Sequence, residues 1–83
     1  MITITIKPNS IESIGHANYA KYNKDIVCSA VSVLMQTLEL RGESIKASGH
    51  MSVWTKDTQA LNLIADGLKQ IAEHYPNNVE VIE

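Results

Sequence analysis

The sequence predicts an α+β domain with the element order ββαββαβ, a small sandwich of about five strands in a mixed or antiparallel sheet with two helices packed on it. Three observations carry this expectation. Ile2, Ile4 and Ile6 alternate with Thr3, Thr5 and Lys7, the period of a strand with one buried face. Two longer stretches repeat their apolar residues at helical spacing, each behind an aspartate. Short alternating runs separated by turn residues fill the rest. A chain of 83 residues is expected to be one domain, 1–83.

Taken in order, Met1 to Lys7 is the first strand and Pro8-Asn9-Ser10 a turn. Ile11 to Ala17 returns as a second strand, expected to pair antiparallel with the first. Strand alternation would put Ile14 and His16 on one face, with Gly15 pointing the other way. Asn18 to Lys24 is polar and lacks a sustained period, so it reads as a loop. Its Tyr19 and Tyr22 either line a groove or pack over the sheet edge.

Asp25 then reads as a helix N-cap whose carboxylate accepts from the N–H of Val27 or Cys28. The helix behind it runs to about Arg41, with Val27, Ala30, Val31, Leu34, Met35 and Leu38 as its apolar face and Gly42 as its stop. Glu43 to Ser48 and His50 to Thr55 are short strands about a Ser48-Gly49 turn. Asp57 caps a second helix, to about Tyr75, whose stripe is Leu61, Ile64, Ala65, Leu68, Ile71, Ala72 and Tyr75. Pro76-Asn77-Asn78 ends it, and Val79 to Ile82 is a last strand.

Composition narrows the function. With one Trp, three Tyr and no Phe, the core must be aliphatic. A core this small is marginal alone, so a homodimer is expected. The net charge of -2 and the absence of any basic run argue against a nucleic-acid partner. No stretch approaches a membrane span, and Met1 to Lys7 lacks the apolar core of a signal peptide. One cysteine cannot make an internal disulfide, and a free thiol fits a reducing cytoplasm. One Cys and three scattered His show no metal-ligand spacing, and there is no Gly-rich phosphate loop, so no metal or cofactor is expected.

The stretch from Gly15 to Ser32 holds the chemistry. A thiol attacks as thiolate, which a helix N-terminus or a neighbouring imidazolium favours. Cys28 falls in the first turn of its helix, at the margin of the apolar stripe, and His16 ends the preceding strand. One loop could fold His16 back onto Cys28, and such a pair suits acyl transfer. The N–H groups at the helix start could then form an oxyanion hole. Asp25 could orient His16 or only cap the helix; its charge opposes a thiolate, so capping is the cheaper role. Ser32, one turn beyond Cys28, could bond within the site or to its own i−4 carbonyl. Chemistry alone leaves open that Cys28 is a small inert core residue. It also leaves His50 as a rival base, while His74, near a helix C-terminus, reads as structural.

At these residues the chain resembles the ribosomal-processing cysteine protease family, Prp. The resemblance rests on Gly15-His16-Ala17 and on Asp25-Ile26-Val27-Cys28-Ser29-Ala30-Val31-Ser32, with twelve residues from His16 to Cys28. The opening Met-Ile-Thr strand and the length of the first helix agree with it; beyond Gly42 only the layout does. The resemblance implies that His16 and Cys28 are a catalytic dyad with Gly15, Asp25 and Ser32 at or beside the site. It implies a mobile substrate loop over Asn18 to Lys24, with Tyr19, Tyr22 and Asn23, and a homodimer. It also implies a protein substrate, the N-terminal extension of the large-subunit ribosomal protein numbered twenty-seven. Asn23 stands where the family has a loop Gly, and Ser29 where it has Ala. The span between the first helix and the last strand is more compact than in the family. That leaves three other readings: the same chemistry on a phage capsid or scaffold precursor, a non-catalytic dimeric interaction module, or a small thioesterase.

Overall fold

A computed structural model describes residues 1–21 and 25–83. The elements are β1 (Ile2–Lys7), β2 (Ser10–Gly15), α1 (Ile26–Glu39), β3 (Glu43–Ala47), β4 (His50–Trp54), α2 (Thr58–His74) and β5 (Val79–Ile82). The α+β class and the ββαββαβ order are as the sequence predicts. The strands form one five-stranded sheet in the order β3-β4-β2-β1-β5. Pairing is antiparallel except between β1 and β5, which run parallel from Ile2 opposite Val79 to Thr5 opposite Ile82. The sheet is therefore mixed.

Both helices pack against the sheet on its inner side. Ile2 and Ile4 of β1, Ile11 of β2, Val53 of β4 and Val79 of β5 point that way and are buried. They meet Val27, Val31, Met35 and Leu38 of α1 and Leu61, Ile64, Ala65 and Leu68 of α2. The core is aliphatic throughout. The opposite face carries Thr3, Thr5, Glu12, Ser52 and the exposed side chains of Ile14, Ile45 and Trp54.

Four expectations shift. Ala30 is exposed rather than part of the α1 stripe. The buried set is narrower, and Ala30 falls on its outer margin while Cys28 falls on the margin that faces the sheet. Helix α1 ends at Glu39 with Leu40 as its cap, short of Arg41. Gly42 adopts no positive φ; it is small because a Cβ there would meet the Trp54 carbonyl oxygen at 2.1 Å. The stop comes from tight local bonds, Leu40 N–H to Thr37 O, Arg41 N–H to Leu38 O and Gly42 N–H to Glu39 O. Lastly, β2 ends at Gly15, not Ala17.

Leu68 is fully buried between α2 and the rest of the core. Leu68→Ala is expected to lower unfolding free energy by ~2–5 kcal/mol, measured by urea titration with the slope unchanged. A domain of this size has only ~5–15 kcal/mol in hand, so part of the variant should be unfolded without denaturant at 37 °C.

Candidate active site

Gly15 has φ 101°. A side chain there would also drive a Cβ to 2.3 Å from the Met1 carbonyl oxygen, so only glycine fits. This conformation ends the strand and breaks its alternation. Ile14 stays on the outer face, exposed, but His16 does not join it. The chain turns instead, and His16 faces a cleft of about 240 Å³ that it shares with Cys28. The expectation that Ile14 and His16 share one face fails for this reason.

The cleft lies between α1 and the inner side of the sheet. Its floor is apolar, with Ile2, Val31, Met35 and Met51. Ser32 and Gln36 line its helix side, and Lys46, whose ammonium bonds Glu39 at 2.9 Å, stands on the strand side. A second cavity beside it is bounded by His16, Asn18, Ala20, Asp25 and Cys28. His16 and Cys28 border both.

The β3–β4 turn supplies the wall behind His16. Gly49 sits at φ 68°, and its carbonyl accepts from Gly15 N–H at 2.8 Å. A Cβ on Gly49 would lie 3.2 Å from His16 Nε2, so the imidazole rests against a bare backbone.

Cys28 is partly buried in the first turn of α1. Its Sγ accepts a hydrogen bond from the backbone N–H of Ala17 at 3.2 Å. Ala17 is itself 1% exposed, and its carbonyl accepts from Asn78 Nδ2 at 2.9 Å. Sequence reasoning read Asn78 only as part of a helix terminator, since no local pattern ties position 78 to position 17.

Asp25 caps α1. Its Oδ1 accepts from Val27 N–H and Cys28 N–H, both at 3.0 Å. Its Oδ2 accepts from Tyr19 N–H at 3.0 Å and Ala20 N–H at 3.3 Å. Of the two roles open to Asp25, capping is the one its bonds fill. Burial alone would raise this carboxyl; the bonds from Cys28, Ala20, Tyr19 and Val27 together outweigh burial and hold it below its ordinary value. The same bonds remove an earlier expectation. The N–H groups of Val27 and Cys28 already have an acceptor, and that of Ser29 bonds the Asp25 carbonyl, so these three do not form an open oxyanion hole.

The other singled-out residues separate. Ser32 is exposed at the cleft wall, and it is Ser29, not Ser32, that makes the i−4 bond, to the Asp25 carbonyl at 3.1 Å. Tyr19 is half exposed and packs edge to face on Tyr75 just past α2, with centroids 5.2 Å apart. Tyr22 and Asn23 lie outside the described residues. His50 bonds Glu12 through Nε2 at 3.0 Å, and it also borders the cleft next to Gly49. His74 bonds the Gln70 carbonyl in the last turn of α2. Among the described residues no cluster of three or more His, Cys, Asp or Glu could hold a metal ion. No helix among them is long and apolar enough to cross a membrane.

A partly buried thiol with a backbone donor, in one cleft with an imidazole, suits nucleophilic attack on an acyl carbon. The model of the family described as cysteine protease Prp matches residues 1–80. The chain belongs to that family. It is thus a cysteine protease of the Prp type, a hydrolase. The ribosomal processing cysteine protease Prp of Mycoplasma genitalium is 30% identical, over all of this chain and 96% of its own length. Two crystal structures of an essential ribosomal processing protease Prp from S. aureus share the fold. One, with a covalently linked product peptide, gives a TM-score of 0.85 at 23% identity over 99% of this chain and 98% of that one. The other, with a substrate peptide, gives 0.73 at 20% identity over 96% and 94%.

The low Asp25 carboxyl has a pH consequence. Its unfolded value is near 3.9 and its folded value lies lower. Its contribution to stability is therefore complete above the unfolded value and is lost as pH falls through the folded one. Urea unfolding of the parent should weaken over that acid window, and Asp25→Asn should lack this part of the slope. Asp25→Ala, which strands four N–H groups, is expected to cost at least ~2 kcal/mol at neutral pH.

Proposed function

We propose that this Prp-family chain is a single-domain thiol endopeptidase over residues 1–83 in which Cys28 is the nucleophile and His16 the base. The observation that carries this reading is that Cys28 and His16 border one cleft while Cys28 Sγ already has a backbone N–H donor. His16 takes the thiol proton. The thiolate attacks the scissile carbonyl carbon, and the tetrahedral adduct collapses as the amide C–N bond breaks. The departing amine takes the proton from His16. Water, deprotonated by His16, then cleaves the thioester and frees Cys28. Asp25 positions both sides of the site without touching the reacting atoms. Ser32 lines the cleft and meets the substrate chain there. Tyr19, Tyr22 and Asn23 are assigned to contact with the substrate.

The proposed substrate is the N-terminal extension of the large-subunit ribosomal protein numbered twenty-seven. The family membership supports it, as does the apolar cleft floor beside the thiol. The same reading makes the protein a cytoplasmic homodimer. A free thiol persists in a reducing compartment, and the outer sheet face exposes Ile14, Ile45 and Trp54.

The test is cleavage of a synthetic peptide spanning the junction of that extension. The parent should cut it at one bond, Cys28→Ala should not cut it at all, and His16→Ala should lose ~10²–10⁴-fold in kcat/KM. Iodoacetamide should modify Cys28 faster than a free thiol at neutral pH, and His16→Ala should slow that reaction. Cleavage that survives Cys28→Ala, or a thiol that reacts no faster than free cysteine, would sink the proposal.

A further inference from the structure

We infer that the backbone N–H of Ala17 is a catalytic group, the donor that holds the Cys28 thiolate, and that Asn78 is the positioning residue that fixes it from the far end of the chain. The inference rests on the reading of Cys28 as nucleophile.

An anionic sulfur beside a helix start ordinarily draws on the free N–H groups there. In this protein the N–H groups of Val27 and Cys28 are spent on Asp25, and that of Ser29 on the Asp25 carbonyl. Ala17 N–H is the donor that reaches Sγ, at 3.2 Å. A charge-assisted bond strengthens when the sulfur ionises, so this contact favours the thiolate over the thiol. Its place in the chain matters too. Ala17 follows His16 directly, so one peptide unit joins the base to the donor.

Residue 17 needs an anchor, because β2 has already ended at Gly15 and α1 has not begun. Asn78 supplies one. Its side-chain Nδ2 donates to the Ala17 carbonyl at 2.9 Å. Its own backbone is tied on both sides: its N–H donates to the Tyr75 carbonyl at 3.0 Å, and its carbonyl accepts from Ile2 N–H at 2.8 Å. Asn78 is thus rigidly held where α2, β1 and β5 meet, and it passes that rigidity to residue 17. Loss of the amide would free the peptide unit that follows Ala17, let residue 17 shift, and so draw its N–H away from Sγ.

A purely structural role would also be met by this bond, since a buried carbonyl needs a partner. The two roles differ in what they change. Satisfying a carbonyl affects stability; holding the thiolate affects the reactivity of Cys28 in the folded protein. The experiment compares the parent with Asn78→Ala and Asn78→Leu, the latter close in size but with neither donor nor charge. It reads iodoacetamide modification of Cys28 at neutral pH relative to alkaline pH, where every thiol is ionised, under conditions where circular dichroism shows each variant folded. It also reads kcat and KM on the junction peptide. Both variants should lose about tenfold or more of the neutral-to-alkaline reactivity ratio and of kcat, with KM little changed; a misplacement of 1 Å can cost about a hundredfold.

A third readout needs no variant. In the parent the Ala17 amide proton should move downfield by NMR as Cys28 ionises. A parent thiol that reacts fast, together with equally fast variants, overturns the role of Asn78 alone. An Ala17 amide that stays still while Cys28 titrates overturns the donor. A parent thiol that reacts no faster than free cysteine instead removes the protease reading, and this inference with it.

Discussion

One buried carboxylate carries the geometry of the site. Asp25 is 3% exposed, yet it remains below its ordinary carboxyl range because four backbone N–H groups point at it. Two belong to the first turn of α1 and two to the strand-to-helix loop. Burying a charge is expensive unless it is fully bonded, and here the bonding also determines where the loop leaves the sheet and where the helix starts. Asp25 places a negative charge near a thiol that must itself become negative. That repulsion is moderated because the carboxylate is satisfied by peptide dipoles on both oxygens. It has a further effect: the helix start has little donor capacity left for the sulfur, and the donor that reaches it comes from the other side of the loop.

The sheet prepares the opposite wall. Two glycines with positive φ, Gly15 at the end of β2 and Gly49 in the β3–β4 turn, lie side by side and are joined by a backbone bond. Each solves a separate problem. Gly15 redirects the chain so that the next residue leaves the plane of the sheet, and Gly49 removes the Cβ that would crowd the imidazole. Because β2 lies in the middle of the sheet, between β4 and β1, this corner is braced by pairing on both sides.

Much of this was readable in the residues. The alternation of Ile2 and Ile4 against threonines, the aspartates before both helices and the stripes of α1 and α2 are local patterns with local causes, and each leads to the element observed. The resemblance pointed to Gly15, His16, Asp25 and Cys28 together, and three of these meet at one cavity while Gly15 turns the chain toward it. What could not be read depends on residues far apart. Nothing near Glu12 announces that it bonds His50, because the pair forms only in the β2–β4 register. Tyr19 meets Tyr75 and Ala17 meets Asn78 only because the end of α2 packs beside the loop. The exposure of Ala30 follows from how far the helix is rolled, which depends on its partners rather than on its own period.

The parallel pairing of β1 with β5 joins two strands that lie far apart in the sequence. Strand β1 finds one neighbour at once, through the Pro8-Asn9 turn, but its other neighbour follows only after both helices. Contacts of such sequence separation form late and slow folding. Until β5 pairs, β1 is an open edge, and Asn78, just ahead of β5, has no fixed place from which to hold residue 17. The corner beside the thiol is therefore among the last parts of the fold to be fixed, and its order depends on the longest-range pairing in the sheet.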